Sequence, residues 1–224
     1  GDDDKMMLAD LTYGQAESYD VSDDGLTYTF HLRDGIVWSD GQPVTAGDFV
    51  YSWQRLCDPE MASDYGYLLE GIVVGATDVY ENGADPDTLG VKAIDEKTLE
   101  IQLEAECPFF LQLCAFGNLM PLRKDIIDEY GAEWTNPENI VTNGPFVMDE
   151  WVHDSYISMV PSETYYNAEI VGPTQIKWYL SDDETAILSS YQSGEYDFIE
   201  TFPTDQIESL QASGDCYILP AVTT

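Results

Sequence analysis

The chain has 224 residues, enough for one large domain or two small ones with a sizeable core. Hydrophobic residues make up 44% and aromatic residues 12%, which excludes global disorder. Forty-three acids against eight bases give a net charge of −35, which disfavours nucleic acid, whose phosphates would be repelled, and anionic membrane surfaces.

The first residues, GDDDKM from Gly1 to Met6, fit a protease-tag remnant and a native acidic turn alike. Asp23-Asp24-Gly25 is a turn, since Gly tolerates positive φ and Asp bonds its own backbone. Leu26, Tyr28, Phe30 and Leu32 then alternate with Thr27, Thr29 and His31, which predicts a half-buried strand. A second turn follows at Ser39-Asp40-Gly41. Thr45 stands at a helix N-cap with Asp48 three residues on, a capping box with Asp in place of Glu. Phe49, Trp53 and Leu56 recur behind it at helical spacing.

Residues 64–69 carry Tyr65, Tyr67 and Leu68 in a loop or short helix, and Asp85-Pro86-Asp87 is a loop. Val91 to Ile94, a turn at Asp95-Glu96-Lys97, and Leu99-Ile101-Leu103 predict a β-hairpin. Pro108 opens a short apolar helix through Phe109, Phe110, Leu113 and Ala115, because a proline at the first turn loses no helical hydrogen bond. Lys124 to Tyr130 is another short helix, stopped by Gly131. Beyond the Asn143-Gly144-Pro145 turn, Phe146 to Met148 and Tyr156 to Val160 predict two strands. Ile176 to Leu180 is a strand running into Ser181 to Glu184, which cap a helix from Thr185 to Tyr191. Tyr196 to Ile199 reads as a short strand, Thr204 as the cap of a helix with Ile207 and Leu210, and Cys216 to Val222 as a last apolar strand.

Little here points to chemistry. Cys57, Cys107, Cys114 and Cys216 form no CxxC and have no metal-ligand spacing. On a continuous helix Cys107 and Cys114 would stand two turns apart, too far for a disulfide, and Pro108 favours a helix start there. Buried free thiols and one disulfide among the four both fit. His31 alternates out of an apolar strand face, and His153 lies in a predicted loop. No Ser occupies a GxSxG elbow, and the acids are too many for one pair to stand out as general acid and base. We therefore expect no enzyme, no cofactor and no metal. The acidity fits attraction of cationic ligands such as basic peptides. It equally fits a solvated surface, and the spread of acids along the whole chain favours the latter. No stretch approaches the ~20 apolar residues of a membrane helix, and no signal peptide is visible.

Four segments carry a family resemblance. They are YTFHLRDGIVWSDGQPVTAGDFVYSWQR (Tyr28 to Arg55), LGVKAIDEKTLEIQL (Leu89 to Leu103), NIVTNGPFVMDEW (Asn139 to Trp151) and YQSGEYDFIE (Tyr191 to Glu200). In that order and at that spacing they resemble the oligopeptide/dipeptide-binding family, the solute-binding proteins of peptide ABC transporters, and most of all its oligopeptide-binding branch. The resemblance implies an α/β, mixed α+β fold of the periplasmic-binding-protein type II class. It implies a partial single lobe of a longer two-lobed protein, truncated about where the chain crosses to the other lobe. Residues 6–137 would form the smaller subdomain and residues 138–224 part of the sheet-bearing one.

Several functional expectations follow from the resemblance. The protein would be extracytoplasmic, in a periplasm or lipid-anchored outside the cytoplasmic membrane, with its signal sequence absent here. Its partners would be a peptide ligand and the permease subunits of an importer, with no nucleic acid and no membrane insertion by this segment; the full-length protein would be a monomer. The family holds peptides by their main chain in strand-like fashion. Tyr65 aligns with a tyrosine lining the peptide site. Ala221 and Thr223 fall where the crossover segment offers backbone groups; the family pattern there has Tyr and Cys, which leaves only the backbone role. Glu200 and Thr201 lie near a further ligand-facing loop. The groups that meet the peptide termini would lie in the other lobe, so this segment alone would not be binding-competent. The alternatives are a same-fold binder of a dipeptide, nickel complex or oligosaccharide, and a surface adhesin or peptide-sensing protein without transport.

Overall fold

The computed structural model describes residues 13–214. The chain divides into two compact units. Within the described residues, the larger comprises 13–150 and 159–176, and the smaller 151–158 and 177–214.

The larger unit is built on a four-stranded antiparallel sheet. Its strands are β1 (Ala16–Val21), β2 (Thr27–Leu32), β3 (Val91–Ala93) and β4 (Thr98–Gln102), in the order β1-β2-β4-β3. The Asp23-Asp24-Gly25 turn joins β1 to β2: Gly25 N–H donates to Ser22 O at 2.8 Å, and the Asp24 carboxylate accepts from Ser22 Oγ and Leu26 N–H. β1 is the strand that alternation does not reveal. Its segment AESYDV carries few apolar residues and is mostly exposed, so it is held by pairing with β2 rather than by burial. The predicted hairpin 91–103 is present, with Phe30 opposite Leu99 and Tyr28 opposite Ile101 across the β2–β4 ladder.

Helix α1 (Ala46–Cys57) begins where the capping pattern places it. The Asp48 carboxylate accepts from Thr45 N–H at 2.8 Å, from the Thr45 hydroxyl at 3.2 Å and from Trp38 Nε1–H at 3.3 Å. Its inner face, Ala46, Trp53, Leu56 and Cys57, joins Leu32, Trp38, Val44, Leu99, Ile101 and Phe110 in one core. Trp53 Nε1–H donates to Leu119 O at 2.9 Å and Ser52 Oγ to Met120 O at 2.6 Å. Both buried donors are thereby satisfied, and the 115–123 segment is tied to α1. A second helix, α2 (Ala76–Asn82), escapes a periodicity reading because only Ala76 and Val79 mark its buried face and no side chain caps its start. Helix α3 (Phe110–Cys114) starts two residues after Pro108, and α4 (Lys124–Tyr130) ends at Gly131 as predicted.

Strands β5 (Phe146–Val152) and β6 (Tyr156–Pro161) are consecutive and adjacent, and the three-stranded sheet runs β5-β6-β7. The base of this hairpin belongs to the larger unit. Its tip belongs to the smaller one, with β7 (Ile176–Tyr179) from Lys177 on, α5 (Glu184–Gln192) and α6 (Ile207–Ser213). Asp183 caps α5, its carboxylate accepting from Thr185 and Ala186 N–H at 3.0 Å each.

Two local expectations fail. Residues 196–199 are not a strand. The N–H groups of Glu195 and Tyr196 both donate to Ser190 O, finishing the C-terminus of α5, so the first residue of that segment has no N–H left for a ladder. Thr204 does not cap through its side chain; it opens a 3-10 turn, Thr204–Gln206, that leads into α6. The predicted strand 216–222 lies outside the described residues.

Candidate ligand site

Tyr65 sits at the N-cap of a 3-10 turn, Gly66–Leu69, in keeping with a loop or short helix over 64–69. Ser63 sets the turn from below: its hydroxyl accepts from Tyr65 N–H at 3.2 Å and its carbonyl from Gly66 N–H at 3.1 Å. Leu69 is fully buried and anchors the far end. Gly66 is buried between them. A Cβ built there would lie 2.3 Å from Tyr80 Cε2, 2.7 Å from its Cδ2 and 3.2 Å from Leu56 O. The glycine therefore serves close approach: the Tyr80 ring occupies the space a side chain would need.

The turn leaves Tyr65 42% and Tyr67 52% exposed. Their rings lie 6.4 Å apart at 27°. Phe116, just after α3 and 40% exposed, brings its ring within 5.4 Å of Tyr65 at 55°. Of these three, the family resemblance points to Tyr65 alone. Tyr67 carries a weaker sequence signal, two aromatics flanking one glycine. Phe116, remote in sequence, has no signal without the fold.

Glu200 and Thr201 lie in the smaller unit, exposed and outside regular structure, and neither side chain makes a hydrogen bond or ion pair among the described residues. Chain adjacency brings these two together; the described geometry of the larger unit joins neither to Tyr65. Ala221 and Thr223 lie outside the described residues. A groove of about 480 Å³ beside α1 and α4, lined among others by Tyr51, Arg55, Lys124 and Trp134, does not include Tyr65. A second of the same volume, at Asp154 and residues 178–182, includes neither Glu200 nor Thr201.

The remaining titratable groups read as structural. Cys57, Cys107 and Cys114 are free thiols. Burial, with the Glu70 carboxylate nearby, pushes the Cys57 thiol up to about 11. Burial, with Cys107 nearby, pushes Cys114 up to about 12. Protonated thiols of this kind are poor nucleophiles. His31 Nε2 contacts the Asp20 carboxylate at 2.8 Å across the β1–β2 pair. Among the described residues no group of three His, Cys, Asp or Glu is placed to hold a metal ion, and no helix is long and apolar enough to cross a membrane.

Residues 10–218 match the family model "Bacterial extracellular solute-binding proteins, family 5 Middle". The chain belongs to this family. It is 40% identical over 212 residues to the periplasmic oligopeptide-binding protein OppA of Escherichia coli, covering 92% of this chain and 39% of that protein. It is 38% identical over 213 residues to the probable deoxycholate-binding periplasmic protein YgiS of the same organism, covering 94% and 40%. Haemophilus influenzae OppA in complex with RPPGFSPFR superposes with a TM-score of 0.86 at 29% identity, covering 90% of this chain and 40% of that one. The family member described here thus spans about 40% of the length of these relatives. Its mixed α/β architecture is that of part of a type II periplasmic-binding-protein-like molecule. The relatives are named as binding proteins, and two of them as periplasmic.

Proposed function

We propose that this chain is part of an extracytoplasmic solute-binding protein that captures oligopeptides and passes them to the permease of an ABC importer. The observation that carries the reading is the family match over residues 10–218, on a backbone that superposes with a peptide-complexed relative. Residues 6–137 are the smaller subdomain of one lobe in this reading, and residues 138–224 part of its sheet-bearing subdomain. The peptide is held by backbone groups, which suit any side-chain sequence, near the crossover residues Ala221 and Thr223 and the loop at Glu200 and Thr201. Tyr65, exposed on its turn, is a further residue of this reading that meets the peptide. Closure about a hinge then buries the ligand and creates the form the permease accepts. The protein binds without chemical conversion, as a monomer, and needs no cofactor.

The 38% identity to a relative named for deoxycholate favours a second reading, the same fold serving a non-peptide solute. One experiment separates the two. The full-length protein is purified without refolding, and its co-purifying ligand is released and identified by mass spectrometry. We expect a mixture of short peptides. A single sterol acid, sugar or metal chelate would replace the peptide reading with the second one.

A further inference from the structure

We propose that the groove beside α1 and α4 is a binding site for a small monocarboxylate with a flat apolar body, held by Arg55. The inference is independent of the peptide-binding reading, since the groove includes none of Tyr65, Glu200 and Thr201.

Arg55 differs from the other two arginines of the chain. Arg33 donates to the carbonyls of Gly14 and Tyr13 at 2.7 and 3.4 Å, and Arg123 pairs with Asp40 and Asp125 at 2.9 and 2.6 Å. Arg55 is half-buried, and its guanidinium makes no hydrogen bond or ion pair among the described residues. This happens in a chain with 43 acids. Asp58 lines the same groove, but its carboxylate accepts from Glu60 N–H at 2.9 Å. A place in the last turn of α1 suits any cation, and a lysine would serve it with one point charge. A planar fork of donors left unpaired at a half-buried position points instead to a partner from outside.

The walls decide which anion fits. Tyr51 stands one turn before Arg55 on the same face of α1. Met61, Ile127 of α4 and Trp134, in the 3-10 turn Gly131–Thr135, supply further apolar wall. Lys124 also lines the groove, its ammonium 5.7 Å from the Tyr51 ring centroid and already paired with Asp128. The volume of about 480 Å³ falls within the ~300–1,000 Å³ of small-molecule sites. A carboxylate accepts two parallel hydrogen bonds from a guanidinium, while an aromatic body covers the rings of the wall. A phosphate also suits a guanidinium. The net charge of −35, however, opposes a dianion more than a monoanion, and apolar walls cannot solvate its remaining oxygens. A cation meets Asp58 and Asp128 already engaged. A neutral ring gains burial but leaves the guanidinium unpaired.

The test is calorimetric titration of the full-length protein with β-naphthoate, its neutral amide β-naphthamide, and acetate. Wild type should bind β-naphthoate at least about tenfold more tightly than either of the others. Arg55→Gln should weaken β-naphthoate about tenfold and leave β-naphthamide unchanged. Arg55→Lys should keep only part of the affinity, since the charge stays and the fork is lost. Lys92→Gln, on β3 and outside the groove, changes net charge equally and should leave binding unaltered. Thermal unfolding of each variant verifies that it is folded. No saturable binding of β-naphthoate, equal affinity for the amide, or undiminished affinity in folded Arg55→Gln or Arg55→Lys overturns the site. An equal loss in Lys92→Gln also overturns it, because net charge rather than Arg55 would then govern binding.

Discussion

Gly66 illustrates how one atom can decide a surface. Its backbone does not require positive φ, so the case for glycine is purely spatial: Tyr80 Cε2 already stands 2.3 Å from where a Cβ would go. Gly66→Ala should therefore lower stability by about 1–3 kcal/mol, the ordinary range for overpacking. Equilibrium urea unfolding measures this, and adding Tyr80→Leu should recover part of the loss by removing the obstructing ring. Full stability in Gly66→Ala alone would show that Tyr80 moves aside freely, and the turn beneath Tyr65 would then not be rigid.

At the scale of elements, the fold of the larger unit is a set of loops tied to α1 and β2. Arg123 is the clearest tie. Its guanidinium is nearly buried and donates to Asp125 at 2.6 and 2.7 Å and to Asp40 at 2.9 and 3.2 Å, joining the start of α4 to the turn at 39–41. The hydrogen bonds and charge of Arg123 hold the Asp125 carboxyl below its usual value. A carboxyl so lowered stabilises the folded state above its unfolded pKa of ~3.9, and the contribution disappears as pH falls through its folded value. Arg123→Ala should cost about 1–2 kcal/mol at neutral pH, the exposure of Asp125 keeping it modest. The gap between wild type and variant, followed by chemical denaturation, should narrow below about pH 3. A gap that stayed constant on acidification would mean that Arg123 acts through packing on Trp38, 5.9 Å away, rather than through its carboxylates.

For the molecule as a whole, charge is the strongest influence beyond the core. A net charge of −35 on 224 residues opposes compaction by self-repulsion. Screening should relieve it: the Debye length falls from about 30 Å at 0.01 M to about 8 Å at 0.15 M salt. The thermal midpoint should accordingly rise with sodium chloride over that range, read by circular dichroism. A midpoint that fell would show that favourable ion pairs outweigh the repulsion. The same field faces every ligand and disfavours acidic peptides.

Where the local pattern is strong, the sequence alone determined the structure. The Thr45–Asp48 cap, the 91–103 hairpin and the Gly131 stop are short-range physics, legible because each signal lies within a few residues of its effect. The four motif segments likewise determined the family. Strand β1 and helix α2 are not legible, because one is stabilised by a neighbouring strand and the other buries only Ala76 and Val79 and starts without a side-chain cap. At 196–199 the first N–H of the segment, that of Tyr196, is already taken by the end of α5. The candidate site divides in the same way. Tyr65 is suggested by the family resemblance, while Phe116 reaches it through the 115–123 segment that Ser52 and Trp53 tie to α1, a contact between residues far apart in the chain. Such long-range ties depend on which core faces meet, and only the tertiary structure decides that.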